Sequence, residues 1–255
     1  MERTAKTKQN KKCPEKQKLK LREIYKRLSR AFGPQHWWPG ETPFEVAIGA
    51  VLTQNTNWGN VEKAIRNLKE AGTLSAPAID GMPRARLAEL IRPSGYFNVK
   101  AVRVKALVSF ILKDFGGDIA GMGSDGGYQE PRYQEMSRLR EKFLAVNGIG
   151  PETADSILLY ALEMPVFVID AYTKRILARH GIASPDWDYG RLQELFHGCL
   201  KPDVKFYNEY HALLVAAGKR FCRPRSPFCG ACPLAAMEPP SFLPGMMRME
   251  GEAGK

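Results

Sequence analysis

The stretch FLAVNGIGPETADSILLYALEMPVFVID, residues 143–170, decides the fold. Apolar residues recur at helical spacing on both sides of a glycine-punctuated turn: Leu139, Phe143 and Val146 before it, Ala154, Ile157, Leu158 and Ala161 after it. Asn147 to Gly150 form the turn. Gly148 and Gly150 can each take a positive φ without steric cost, and Pro151 suits the first position of the following helix, where its missing N–H leaves no bond unmade. Such a turn points several backbone N–H groups outward beside the positive end of a helix dipole, and a phosphate can sit there. A plain helix-helix corner is the alternative reading of Gly-x-Gly taken alone. Downstream, Asp170 directly precedes the helical pattern AYTKRILARHG, which puts its carboxylate at or near an N-cap, where backbone N–H bonds hold it ionised and aimed. The run VFVI before it could locally be a strand.

Moving outward, Leu21 to Phe32 reads as an amphipathic helix ended by Gly33-Pro34. HWWPG follows, and two adjacent tryptophans bounded by Pro and Gly cannot both point inward from a regular helix. FEVAIGAVLT, residues 44–53, is almost wholly apolar and reads as a buried helix, broken by TQNTNW before a further helix at Val61, Ala64, Ile65 and Leu68. In that break Gln54 could cap the next helix. RPSGYFNVKA, residues 92–101, sets Tyr96 and Phe97 in a turn ahead of a strong helix with Ala101, Val104, Leu107, Val108, Ile111, Leu112 and Phe115 on one face. Residues 116–130 hold six glycines and no periodicity, so a flexible surface loop is expected before the hairpin. Helices are expected again at Leu192–Leu200 and Tyr207–Gly218, and the Pro/Met-rich end from Glu238 is expected to be disordered. His211 reads as a core or capping histidine rather than a ligand.

A chain of 255 residues with 44% hydrophobic content can bury a sizeable core. No run approaches the length of a membrane span, and the N-terminus lacks the apolar stretch of a signal peptide, so cytoplasm or nucleoid is the expected location, without a membrane partner. Of five cysteines, Cys222, Cys229 and Cys232 are clustered with metal-ligand spacing, which fits a reducing compartment better than a disulfide framework. The net charge of +11 points to a polyanionic partner. Residues 1–20 carry eight Lys/Arg against Glu2 and Glu15, which reads as a solvated basic arm able to touch phosphates non-specifically.

The hairpin NGIGPETAD followed by VFVIDAYTKRIL resembles the helix-hairpin-helix DNA glycosylases of the endonuclease III superfamily. CRPRSPFCGACPL matches the first three cysteines of that family's iron-sulfur loop, and further matches at Val51–Trp58 and Arg92–Lys100 carry the resemblance from about Leu21 to Leu234. It implies an all-α fold of two helical lobes, one from residues 41–163 with the hairpin, the other from 21–40 and 164–237 with the cysteine loop, binding damaged duplex DNA as a monomer. By the same resemblance Asp170 is the catalytic carboxylate, Gln54 a wedge entering the duplex where a nucleotide has been extruded, and Asn147, Gly148, Gly150 and Thr153 the DNA-anchoring turn. The branch of the family that also cuts the strand has a lysine two residues after the second hairpin glycine. Glu152 stands at that place and cannot form a Schiff base, so a monofunctional enzyme is expected. HWWP, VLTQNTNW and RPSGYFN look most like the 3-methyladenine branch, with Trp37, Trp38 and Trp58 lining the base pocket. An N3-alkylated purine is cationic and stacks well on indole faces. Two readings remain open beside it: an endonuclease III-like enzyme for oxidised pyrimidines or mismatched bases, and a non-catalytic DNA-structure-binding protein. The family's cluster takes four cysteines, whereas Glu238 stands where the fourth should be, so the resemblance implies an incomplete [4Fe–4S] site of Cys222, Cys229, Cys232 and Glu238 or solvent.

Overall fold

The computed structural model describes residues 13–119 and 130–237. Their regular elements are all helices, with no strand among the described residues. The described residues divide into two compact units: 13–33, 169–199 and 213–237 form one, 34–119, 130–168 and 200–212 the other.

The second unit is built around α2 (Pro43–Leu52), whose residues Glu45–Leu52 are all buried. A helix apolar on every side belongs in a core, and α2 packs against α3 (Trp58–Glu70), α6 (Phe97–Phe115), α8 (Pro151–Ser156) and a π-helical turn at Ile157–Ala161. Thr42 caps α2 by accepting from Glu45 N, with Pro43 in the first turn. The short α4 (Ala76–Gly81) and α5 (Arg84–Leu90) pack on α6. Val61, Ala64, Ile65 and Leu68 of α3 and Ala101, Val104, Leu107, Val108 and Ile111 of α6 are buried, the faces that their periodicity predicts. α7 (Glu130–Leu144) and α8 are the two arms of the hairpin.

In the first unit α1 (Glu15–Phe32) buries Leu21, Ile24 and Leu28 and packs against α10 (Tyr189–Cys199); α9 (Ala171–Arg179) follows Asp170. α11 (Val204–Arg220) gives its first half to one unit and its second half to the other. Within the second unit Phe167 stands edge-on to Tyr207 and Tyr210, with ring centroids 5.2 and 5.6 Å apart.

Several sequence expectations change. Glu15–Lys20 belong to α1 instead of the basic arm, because their Lys, Gln, Glu and Leu are good helix formers continuous with the amphipathic stripe. The remainder of the arm that lies in residues 1–12, most of the glycine-rich loop (120–129) and the tail from Glu238 lie outside the described residues. VFVI forms neither strand nor helix. The two cysteines outside the cluster, Cys13 and Cys199, form a disulfide, with Cα atoms 5.0 Å apart across a sequence separation of 186. Only the packing of α1 on α10 makes them neighbours, and no local pattern carries that information.

Candidate functional site

Candidate residues fall in both units. In the hairpin, Gly148 has φ +82, while Gly150, at φ −93 and ψ 177, is simply extended. The turn therefore requires a left-handed glycine only at Gly148. There a Cβ would also lie 2.3 Å from Arg103 Cγ, so the aliphatic stem of Arg103 rests directly on the turn. A Cβ at Gly150 would meet nothing within 4 Å. Asn147 and Gly150 are exposed, but Thr153 is buried, its Oγ1 accepting from Gln54. Its hydroxyl thus ties the start of α8 to Gln54. The two arms are clamped by Arg140, whose Nε and Nη2 donate to the two oxygens of the fully buried Asp155 at 2.6 and 3.0 Å.

Gln54 does not cap α3; Asn57 does, accepting from Asn60 N at 3.2 Å. Instead Gln54 Nε2 donates to Gly148 O at 3.1 Å and to Thr153 Oγ1 at 2.9 Å, and its Oε1 accepts from Arg103 Nη1. One turn earlier on α6, Lys100 is 1% exposed and donates to Leu52 O at 2.8 Å and Ser94 O at 2.6 Å. Burial first, and then the Arg103 charge, lowers its pKa to about 8. Lys100, Arg103 and the Arg140–Asp155 clamp escaped the sequence reading, since charged residues on amphipathic helices ordinarily face water.

Trp37, Trp38 and Trp58 come together in the same unit, with centroids 5.0 to 5.2 Å apart. Trp38 also lies 5.1 Å from Tyr160, whose hydroxyl shares a hydrogen bond with His211 Nδ1. Gly49 lets Trp38 lie against α2: a Cβ there would stand 3.4 Å from the indole. Trp38 and Trp58 line a cavity of about 350 Å³ together with Glu45 and Glu62. Trp37 and Trp38 line another of about 380 Å³ with Tyr160, Glu163 and Asn208. Both fall in the size range of small-molecule sites.

In the other unit, Asp170 caps α9 as its position predicts: Oδ1 accepts from Thr173 N at 2.7 Å, and the residue is 9% exposed. Burial, and then the Asp170 charge, raises the pKa of Tyr172, whose ring rests against Gly218. The cysteine loop is held by α9. Arg175 Nε donates to Cys222 O at 2.6 Å, and Arg179 donates to Cys222 Sγ at 3.2 Å, Arg223 O at 2.8 Å and Pro224 O at 3.1 Å. Phe32, Phe221 and Phe228 form a stack, with Arg220 above Phe32 at 5.1 Å. Glu238 lies outside the described residues, among which no three His, Cys, Asp or Glu side chains are grouped to hold a metal ion. Cys222, Cys229 and Cys232 bring three thiols to the loop, one fewer than the four cysteines of a [4Fe–4S] site.

A family model for HhH-GPD superfamily base excision DNA repair proteins matches residues 48–202. A Methanocaldococcus jannaschii protein carrying the name DNA repair glycosylase is 44% identical over 83% of this chain and 92% of its own length. Among solved structures, an endonuclease III–DNA complex superposes with a TM-score of 0.71 at 20% identity, over 86% of this chain and 94% of the other. H. pylori 3-methyladenine DNA glycosylase bound to 1,N6-ethenoadenine superposes with a TM-score of 0.64 at 29% identity, over 80% of this chain and 97% of the other.

Proposed function

Since the chain belongs to the HhH-GPD superfamily of base excision DNA repair proteins, we propose that it is a monofunctional DNA N-glycosylase whose substrate is an alkylated purine of the 3-methyladenine kind. The observation that carries the substrate reading is the cluster of three indoles bordering two cavities. A cationic, electron-poor base gains from indole faces. It also leaves as a neutral molecule, so the site needs no general acid.

The hairpin anchors the duplex backbone at Asn147–Gly150. Gly150 supports this: nothing inside the protein demands a glycine there, whereas a phosphate approaching the backbone would. The target nucleotide is extruded, and Gln54 enters the gap it leaves. Asp170 stabilises the oxocarbenium-like sugar and takes a proton from the attacking water. The product is a free base and an abasic site. Glu152, exposed at the start of α8, offers no amine for strand cleavage.

The test is chromatographic detection of the base released from methylated, uracil-containing, thymine-glycol and mismatched duplexes. Release of 3-methyladenine without strand cleavage is expected, and borohydride should trap no covalent complex. Release of oxidised pyrimidines, or efficient trapping, would move the enzyme to the endonuclease III type, which the fold likeness also accommodates. Absence of any base release would leave a DNA-binding protein.

A further inference from the structure

Gln54 is fixed at both ends of its amide. Arg103 can only donate and Gly148 O can only accept, so together they decide which end of the carboxamide faces α6 and which faces the hairpin. The loop behind it is fixed too. Lys100 holds Leu52 O, Thr53 Oγ1 donates to Gly49 O at 2.7 Å, and Asn57 caps α3. Arg103 joins the two parts: its stem covers Gly148, and its guanidinium holds Gln54. Gln54 and Arg103 are both half-buried, so the assembly borders solvent.

We propose that Arg103 is the positioning residue of the Gln54 wedge, holding Gln54 against the hairpin so that the intercalating side chain and the phosphate-anchoring turn meet the duplex as one pre-ordered piece. This rests on the glycosylase reading above. Its physical content is entropic: a glutamine ordered before insertion does not lose its rotamer freedom during it. The alternative role for a half-buried arginine beside such a turn is a direct phosphate contact, and the two roles leave different signatures.

The experiment measures binding of the full-length protein to a duplex with a tetrahydrofuran abasic-site analogue and to the intact duplex, across a salt series. Arg103→Met should lower affinity for the analogue on the order of tenfold, leaving the intact duplex and the salt slope nearly unchanged. Arg103→Lys should restore part of the loss. In the Gln54→Ala background, Arg103→Met should cost nothing further, since it acts through Gln54. Equal loss on both duplexes with a slope smaller by about one would make Arg103 a phosphate contact and overturn the proposal. So would additive losses in the double variant, or a preference for the analogue undiminished in a folded Arg103→Met. If the wild type shows no preference for the analogue, the glycosylase reading itself falls, and this one with it.

Discussion

At Asp170 a single side chain caps α9 and supplies the candidate catalytic charge, and two substitutions separate these roles. Asp170→Asn keeps a good cap, so melting temperature and DNA binding should stay close to wild type while base release falls at least a thousandfold in single-turnover assays. Asp170→Ala should lose release as well and cost a further ~1 kcal/mol of stability by denaturant titration. Lys100 gives a pH signature of opposite character to a surface lysine. Unfolded, it keeps its proton to the ordinary lysine range; folded, it releases it near pH 8. Between those values the unfolded chain binds more protons, so this group makes the fold more stable as pH rises. Measured against Lys100→Met, the wild type should gain relative stability from about pH 8 upward. A difference that stays flat with pH would mean that the two carbonyl bonds keep the ammonium charged.

On the scale of the elements, the hairpin was largely legible. Its glycines, Pro151 and the apolar spacing located both arms, because each is a local demand on backbone or burial. What escaped were the side chains that lock it. Arg140 and Asp155 lie 15 residues apart on different helices, and Arg103 is 45 residues before Gly148, so neither partnership leaves a mark in either helix's own pattern. Gly148→Ala combines a left-handed φ with a clash against Arg103, and should lower stability by roughly 1–3 kcal/mol. Pairing it with Arg103→Ala should recover the clash but not the backbone strain, a non-additivity that a double-mutant cycle reads directly. The cysteine loop is a second case. Its spacing spoke of three metal-type cysteines, while the Arg175 and Arg179 guanidiniums and the phenylalanine stack that hold its course left no mark in the sequence. Arg179→Ala should open residues 222–232 to limited proteolysis, and anaerobically purified wild type should be folded with substoichiometric iron and sulfide. Four irons per chain would show that the loop closes a cluster.

For the whole molecule, periodicity located individual helices and the family resemblance implied the all-α fold, whereas neither carried the Cys13–Cys199 link. Reduction, or Cys199→Ser, should lower the melting temperature, with about 5 kcal/mol as the chain-entropy limit for a loop closed across 186 residues. The division of the chain into units has a consequence for its birth on the ribosome. The unit that begins at Pro34 is nearly continuous to Val168 and can fold as it emerges. α1 is made first, but its partner α10 ends at Cys199, and at ordinary elongation rates that is a delay of roughly ten to thirty seconds. Throughout that interval Leu21, Ile24 and Leu28 have no α10 to bury against, so nascent α1 is the segment of this chain that a ribosome-associated chaperone has most reason to hold.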